Sequence, residues 1–169
     1  MAADSTAFAV LYERHAPQVR RFLLFLCGDE ALADELTSET FVRAWTAFAR
    51  IRQQSVKAYL FAIARNLLRD ARRQAVRYEP FAGELEDEGV SIHQRLEDSS
   101  ELSALLTAMQ RLGEEDRAAL LMRADQLPYE DIAQALNLSV PAVKVRVHRA
   151  RVKLHQWTAP PKNHIGEMP

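Results

Sequence analysis

Apolar positions recur along most of the chain at helical rather than strand spacing. Phe8, Leu11, Tyr12, Val19, Phe22, Leu23 and Leu26 approximate one helical face and predict a first helix from Thr6 to Cys27. Gly28, free to take left-handed backbone, ends it. Pro17 falls inside the pattern and, lacking an N–H, is expected to kink or break the helix. Asp29 suits the cap of a second helix, Glu30 to Ala49. Within it Phe41, Ala44, Trp45 and Phe48 stand at i, i+3, i+4 and i+7, the spacing of a buried stripe. A polar loop, Arg50 to Gln54, follows. Ser55 can then cap a third helix, Val56 to Val76, with Leu60, Ile63, Leu67 and Ala71 as its apolar stripe.

The periodicity stops between Arg77 and Ser100. The stretch GELEDEGVSIHQRLEDSS is acidic and poor in large apolar residues, the composition of a flexible linker. Ser99 or Ser100 caps a fourth helix, which Gly113 ends. A fifth spans Glu114 to Asp125, and two more span Pro128–Leu136 and Val140–Gln156. The expected fold is all-α: two small helical domains, residues 6–77 and 100–157, joined by a flexible acidic linker, 78–99, with a disordered tail, 158–169.

Composition narrows the class. The longest apolar run, Phe22 to Cys27, is far below the roughly 20 residues of a membrane span. The N-terminus has no basic segment before an apolar one, so no secretory signal is expected. A single cysteine, Cys27, excludes an internal disulfide and a cysteine-based zinc cluster. The expectation is a soluble, cytoplasmic protein.

Charge changes the picture more. The net charge of −1 conceals a segregated distribution. Residues 7–78 carry a net +5, residues 79–117 a net −8, and residues 118–157 a net +3. Two basic blocks flanking an acidic one suit two nucleic-acid surfaces joined by something else, or two solvated domains with an acidic linker.

The segment YEDIAQALNLSVPAVKVRVHRAR, Tyr129 to Arg151, is the most informative. Ile132, Ala133 and Leu136 form a short apolar face. Asn137-Leu138-Ser139 makes a tight turn, with Asn tolerant of positive φ and Ser139 a good cap. Pro141 is acceptable in a first helical turn. Val143, Val147, Ala150 and Leu154 then line one face, and Lys144, Arg146, His148, Arg149, Arg151 and Lys153 the others. This is a helix-turn-helix with a cationic second helix, a form that fits the DNA major groove. The bland alternative is a helix pair with a solvated basic face.

The third helix is also basic. Arg65, Arg69, Arg72 and Arg73 share a stripe at i, i+4, i+7 and i+8, with Asn66 and Asp70 beside it. The stripe opposes Leu60, Ile63 and Leu67 and is expected to face outward. With the basic loop before it and the nearby rings of Phe48, Tyr59 and Phe61, it suits single-stranded DNA. Phe48 and Tyr59 also read as plain core residues. On the second helix Asp34, Glu35 and Glu39 line the polar side, and Arg43 can offset Glu39. That side is either a solvated face or a surface for a basic protein partner.

Three segments together resemble one family, the sigma-70-type RNA polymerase sigma factors, and their order and spacing resemble its small extracytoplasmic-function (ECF) group. LADELTSETFVRAW is similar to the polymerase-binding part of region 2, KAYLFAIARNLLRDARR to its −10-reading part, and YEDIAQALNLSVPAVKVRVHRARVKL to region 4. The resemblance implies a promoter-specificity subunit that binds core RNA polymerase and promoter DNA, under the control of an anti-sigma factor. It implies that Asp34, Glu35 and Glu39 meet the polymerase. It implies that Arg50, Arg52, Gln53, Gln54 and Ser55 hold a flipped base, while Arg65, Asn66, Arg69, Arg72 and Arg73 contact −10 DNA. It further implies that Pro141, Ala142, Lys144, Val145, Arg146, His148, Arg149 and Arg151 meet the −35 duplex, and that the acidic linker threads near the RNA exit path. Where the family often has Gly-Thr and Ser on the recognition helix, this chain has Pro141-Ala142 and Val145. These lose hydroxyl donors and add apolar surface that a thymine methyl can meet.

No catalytic constellation is legible, and no cofactor or metal is expected. The five histidines do not cluster with carboxylates, Cys27 lies in an apolar run, and Trp157 is expected to pack the end of the last helix. Bond formation is left to the polymerase.

Overall fold

The computed structural model describes residues 2–51, 56–78 and 100–160. Every α-helix predicted by periodicity is present among them: α1 (Ala2–Cys27), α2 (Glu30–Ala47), α3 (Val56–Tyr78), α4 (Ser100–Arg111), α5 (Glu114–Ala124), α6 (Tyr129–Leu136) and α7 (Val140–Thr158). A 3₁₀ turn, Phe48–Arg50, follows α2. Tyr78, expected to open the linker 78–99, still belongs to α3, and Thr158, expected in the tail, still belongs to α7; residues 79–99, the Ser55 cap and residues 161–169 lie outside the described residues.

Local chemistry sets the ends. Gly28 takes φ +74°, and a Cβ there would meet the Gln110 side chain at 3.2 Å, so glycine serves both the turn and the close approach. Asp29 caps α2 by accepting from the Leu32 N–H at 3.0 Å. Pro17 does not break α1, which runs through it. Pro17 is exposed, and Glu13, whose carbonyl loses its helical donor, is exposed too, so water can serve that carbonyl.

The helices pack as two groups, α1–α3 and α4–α7, and the groups pack on each other. In the first, Val19, Phe22, Leu23 and Leu26 of α1 are buried against Leu36 and Phe41 of α2 and Leu60, Phe61 and Leu68 of α3. Phe22 and Phe61 stack with centroids 4.5 Å apart and planes within 4°. In the second, α5 and α6 bury Ala118, Met122 and Ile132 against Val143, Val147 and Ala150 of α7. One continuous apolar core joins both groups, because α1 lies along α4 and α5 and α3 along α6.

The aromatic stripe of α2 departs from its expected burial. Phe41 and Ala44 are buried, but Trp45 is 45% exposed. Trp45 sits in a ring cluster with Phe8 at 4.8 Å and Phe48 at 6.2 Å, while Tyr12 packs on Phe41 at 4.8 Å. Tyr59, which also read as core, stands at the surface, because its turn of α3 turns it away from the Phe61 face.

The exposed interior proline gives a stability prediction. Proline in a helix interior costs about 3 kcal/mol relative to alanine, and its restriction of the unfolded chain returns up to about 1. Pro17→Ala should therefore raise stability by about 2 kcal/mol in urea unfolding followed by circular dichroism. An unchanged midpoint would mean that the missing hydrogen bond costs nothing here.

Candidate nucleic-acid interface

The α6–α7 turn is built as its sequence dictates. Asn137 takes the left-handed conformation at φ 54°, ψ 48° and closes α6. The Leu138 N–H donates to the Ala133 carbonyl at 2.9 Å. The Ser139 hydroxyl accepts from the Ala142 N–H at 3.2 Å, and Pro141 occupies the first turn of α7. With Val143, Val147 and Ala150 buried, α7 turns Pro141, Lys144, Val145, His148, Arg149 and Arg151 to solvent, and Ala142 and Arg146 are half-buried.

The cations of α7 are not equivalent. Arg149 donates to both Asp116 oxygens, at 2.9 and 2.8 Å, and Arg146 donates to Asp116 at 2.9 Å and pairs with Glu115 at 2.6 Å. Asp116 is only 5% exposed, so this fork clamps α7 onto the first turn of α5. The Arg149 hydrogen bonds, opposed by burial and joined by Arg146, hold the Asp116 carboxyl below the usual carboxylate range. Lys144 lies 5.5 Å from the Tyr129 ring centroid, on whose face Arg123 also sits at 4.6 Å. The His148 ring and the Arg151 guanidinium complete the exposed edge.

On α3 the basic stripe divides. Asn66, Arg69, Arg72 and Arg73 are exposed, with Arg73 3.8 Å from Asp70. Arg65 is the correction: it is 3% exposed and does not face outward. Its guanidinium grips Glu114 of α5 in a two-bond fork, 2.7 and 2.9 Å. The outward expectation placed it opposite the α1–α2 core, where α5 in fact lies. Burial alone would push the Glu114 carboxyl up, but the Arg65 bonds and charge, with Arg69 and Arg72 nearby, hold it down. Arg50 ends the 3₁₀ turn exposed, whereas Arg52, Gln53, Gln54 and Ser55 lie outside the described residues.

The acidic side of α2 stays at the surface. Asp34 and Glu35 are exposed, and Glu39 is half-buried. Arg20 of α1 pairs with Asp34 at 2.5 Å, and Arg43 pairs with Glu39 at 3.2 Å, the i, i+4 offset expected. Glu35 and Glu39 border a groove shared with Asp70, Arg73 and Arg77 of α3.

Trp157 packs as expected, with the Arg111 guanidinium 4.1 Å from its ring centroid. Cys27 is a partly buried thiol whose pKa burial pushes up, which suits packing rather than reactivity. Among the described residues no group of His, Cys, Asp or Glu is placed to hold a metal ion, and no helix is long and apolar enough to cross a membrane. Periodicity gave no hint of Gln110 and Arg117, which bind α1 from the second group, or of Asp125, which pairs with Arg21 at 2.9 Å. The one usable signal was the acidic first turn of α5, Glu114-Glu115-Asp116, richer in charge than a cap requires.

Two family models match in order: Sigma-70 region 2 over residues 11–78, the α1–α3 group, and Sigma-70 region 4 over residues 102–154, the α4–α7 group. The chain is 32% identical over 157 residues to the ECF RNA polymerase sigma factor BldN of Streptomyces coelicolor, a match covering 88% of the chain but only 59% of BldN. It is 31% identical over 156 residues to the ECF RNA polymerase sigma factor SigL of Mycobacterium tuberculosis, covering 88% of the chain and 87% of SigL. The sigma factor RpoE of Bartonella quintana, solved with its anti-sigma factor NepR, superposes with a TM-score of 0.74 at 26% identity, over 89% of this chain and 96% of that one.

The Asp116 clamp predicts a pH dependence. An unfolded Asp titrates near pH 4, and Asp116 in the fold titrates lower. Below about pH 4 the unfolded chain binds more protons than the folded one, so the clamp's stabilisation is present above that pH and is lost as pH falls through the depressed value. Urea midpoints should hold from neutral pH to about pH 5 and then decline. Asp116→Asn should lower the neutral midpoint and shallow the decline; a decline of unchanged depth would remove this clamp from the account.

Proposed function

Because the chain belongs to the ECF group of RNA polymerase sigma factors, we propose that it binds core RNA polymerase in the cytoplasm and directs initiation at promoters carrying −35 and −10 elements. One observation carries the reading. The two basic helices, α3 and α7, fall one in each matched region, and each turns cations to solvent beside a packed apolar face. Bond formation belongs to the polymerase in this scheme, and the chain supplies position and sequence selection.

The roles follow from what each surface offers. Exposed α7 residues Pro141, Lys144, Val145, His148 and Arg151 enter the −35 major groove, with Ala142 at its N-terminal edge. Val145 and Pro141 offer apolar surface to a thymine methyl, and the cations hold phosphates. Arg146 and Arg149 are tied to Asp116, so their first task is to aim the helix; Arg149, exposed, can also reach a phosphate. On α3, Asn66, Arg69, Arg72 and Arg73 track the −10 strand, and the loop from Arg50 through Ser55 receives a flipped base. Flipping costs a few kcal/mol of stacking, which a pocket and phosphate contacts must offset. The acids of α2, exposed Asp34 and Glu35 with half-buried Glu39, dock on the polymerase. Control by an anti-sigma factor is part of the proposal, supported by the likeness to RpoE in its NepR complex.

Run-off transcription with purified bacterial core polymerase on a promoter pool tests the whole. Transcripts that appear only with the chain support it; their absence, with no co-migration with core enzyme, leaves a duplex-binding regulator. Glu35→Lys with Glu39→Lys should weaken polymerase binding at least about tenfold, a loss of roughly 1.4 kcal/mol or more, and leave duplex binding unchanged. Lys144→Ala and Arg151→Ala should each weaken duplex binding and reduce the logarithmic salt slope by about one, since each removes one phosphate contact. Unchanged salt slopes would move the −35 contact off this edge of α7.

A further inference from the structure

One carboxylate holds two cations of the recognition helix. Asp116, in the first turn of α5, has a side chain 6% exposed and accepts three charge-assisted hydrogen bonds from α7. Arg149 donates from Nε to Oδ2 at 2.9 Å and from Nη2 to Oδ1 at 2.8 Å, and Arg146 donates from Nη1 to Oδ1 at 2.9 Å. Arg146 is committed a second time, to Glu115 at 2.6 Å. Of the five lysines and arginines on α7, two are therefore bound within the chain.

Their partner restrains these arginines more than their position does. The Arg149 side chain is 46% exposed and that of Arg146 28%. A phosphate offers a guanidinium the same two-oxygen fork as a carboxylate, so moving Arg149 from Asp116 to DNA exchanges one fork for another. The exchange is uneven. Among the described contacts Arg149 is the donor to Oδ2, and its departure leaves a buried carboxylate oxygen without a hydrogen bond. The same bonds hold the carboxyl below the usual carboxylate range, so it is ionised at neutral pH. Lys144 and Arg151, by contrast, are exposed, and among the described contacts no carboxylate holds them.

We propose that Asp116 governs the duplex affinity of α7: by committing Arg146 and Arg149 within the chain, it keeps binding to arbitrary DNA low and leaves selection to the residues that reach base edges. This rests on the reading of α7 as the −35 surface. The physical basis is ion release. Each phosphate that a protein neutralises adds about 0.9 to the slope of log affinity against log salt, and this term is the same for every sequence. A guanidinium already paired inside the chain contributes little to it. Non-promoter duplex is in great excess, so the ratio of specific to non-specific binding decides where such a chain sits. Lowering the phosphate contribution while leaving base contacts intact raises that ratio.

Binding of the full chain to a fluorescent mixed-sequence 20-base-pair duplex, measured across a salt series at neutral pH, tests this. Asp116→Asn keeps the side chain's size and removes its charge. It should bind about three- to tenfold tighter than wild type at 0.1 M salt and steepen the logarithmic slope by about one, as a guanidinium newly on phosphate would. Weaker binding would mean that Asp116 only holds α7 in place, and overturns the proposal. Glu130→Gln removes the same charge from an exposed acid of the helix-turn-helix and should give less than half the logarithmic gain; an equal gain reduces the effect to net charge and overturns it too. Adding Arg149→Ala to Asp116→Asn should remove most of the gain, and a gain that persists in full excludes this guanidinium as its source. Should Asp116→Asn lose its helical circular dichroism, single variants decide: Arg149→Ala should lower the slope by less than half as much as Arg151→Ala, and equal losses overturn the proposal. If Asp116→Asn binds no tighter while Lys144→Ala weakens binding, the governor falls and α7 remains the duplex surface; if neither variant moves, the reading of α7 has failed as well.

Discussion

The guanidinium of Arg117 is the interaction on which the arrangement of the two helical groups turns. It is buried between α1 and α5, and its N–H groups go to the end of α1, the end of α4 and the Gln110 amide. Three chain segments therefore depend on one planar donor. Burial pushes its pKa down, yet arginine stays charged in proteins, so the site carries a fixed cation at the negative end of α1. Among the described residues its Nε–H has no partner, a local cost set against the bonds its other N–H groups make. An apolar side chain of similar volume would fill the space but leave the Leu26 and Leu112 carbonyls without this donor, at about 1–3 kcal/mol for each one kept from water.

Next to Arg117, the first turn of α5 distributes three carboxylates in different directions. Glu114 reaches Arg65 in the other group, Glu115 reaches Arg146, and Asp116 reaches both Arg146 and Arg149. Acids are at home at a helix N-terminus, where the backbone N–H groups and the dipole favour negative charge. That local preference lets one turn serve two long-range roles. It holds α7 at a fixed angle to α5, and it neutralises an arginine of α3. The acidic block between the two basic ones is therefore partly structural: its last three acids lie against basic residues of both neighbours.

Local signals in the sequence were sufficient for the elements and for the helix-turn-helix. Gly28, Asp29, Asn137 and Ser139 each act within four residues of themselves, and each took the conformation its chemistry favours. Periodicity also found Val143, Val147 and Ala150, because α7 has one buried face. It failed at Arg65, whose burial is set by Glu114, 49 residues away and beyond a segment with no pattern. It failed at Pro17 because the cost of a missing hydrogen bond depends on whether water reaches the freed carbonyl. It misread Trp45 and Tyr59 because helical spacing assigns a face, while burial depends on what covers that face. The loop residues Arg52 to Ser55 lie outside the described residues, so that part of the candidate site stands on resemblance alone.

In the proposed −35 role, the cations of α7 divide their labour. Arg146 and Arg149 are held by Asp116, so among the described contacts Lys144, Arg151 and the half-buried Lys153 are the cations of α7 that can attract phosphates without first breaking an ion pair. Phosphate contacts supply most of the affinity of a DNA-binding module, so a helix with few uncommitted cations binds weakly alone. Weak binding at each end becomes strong when two sites are engaged on one scaffold, because the second contact is then intramolecular. That gain needs both basic surfaces to be available at the separation the DNA imposes. In the proposed reading, weak individual surfaces therefore tie tight promoter binding to both regions engaging the DNA together.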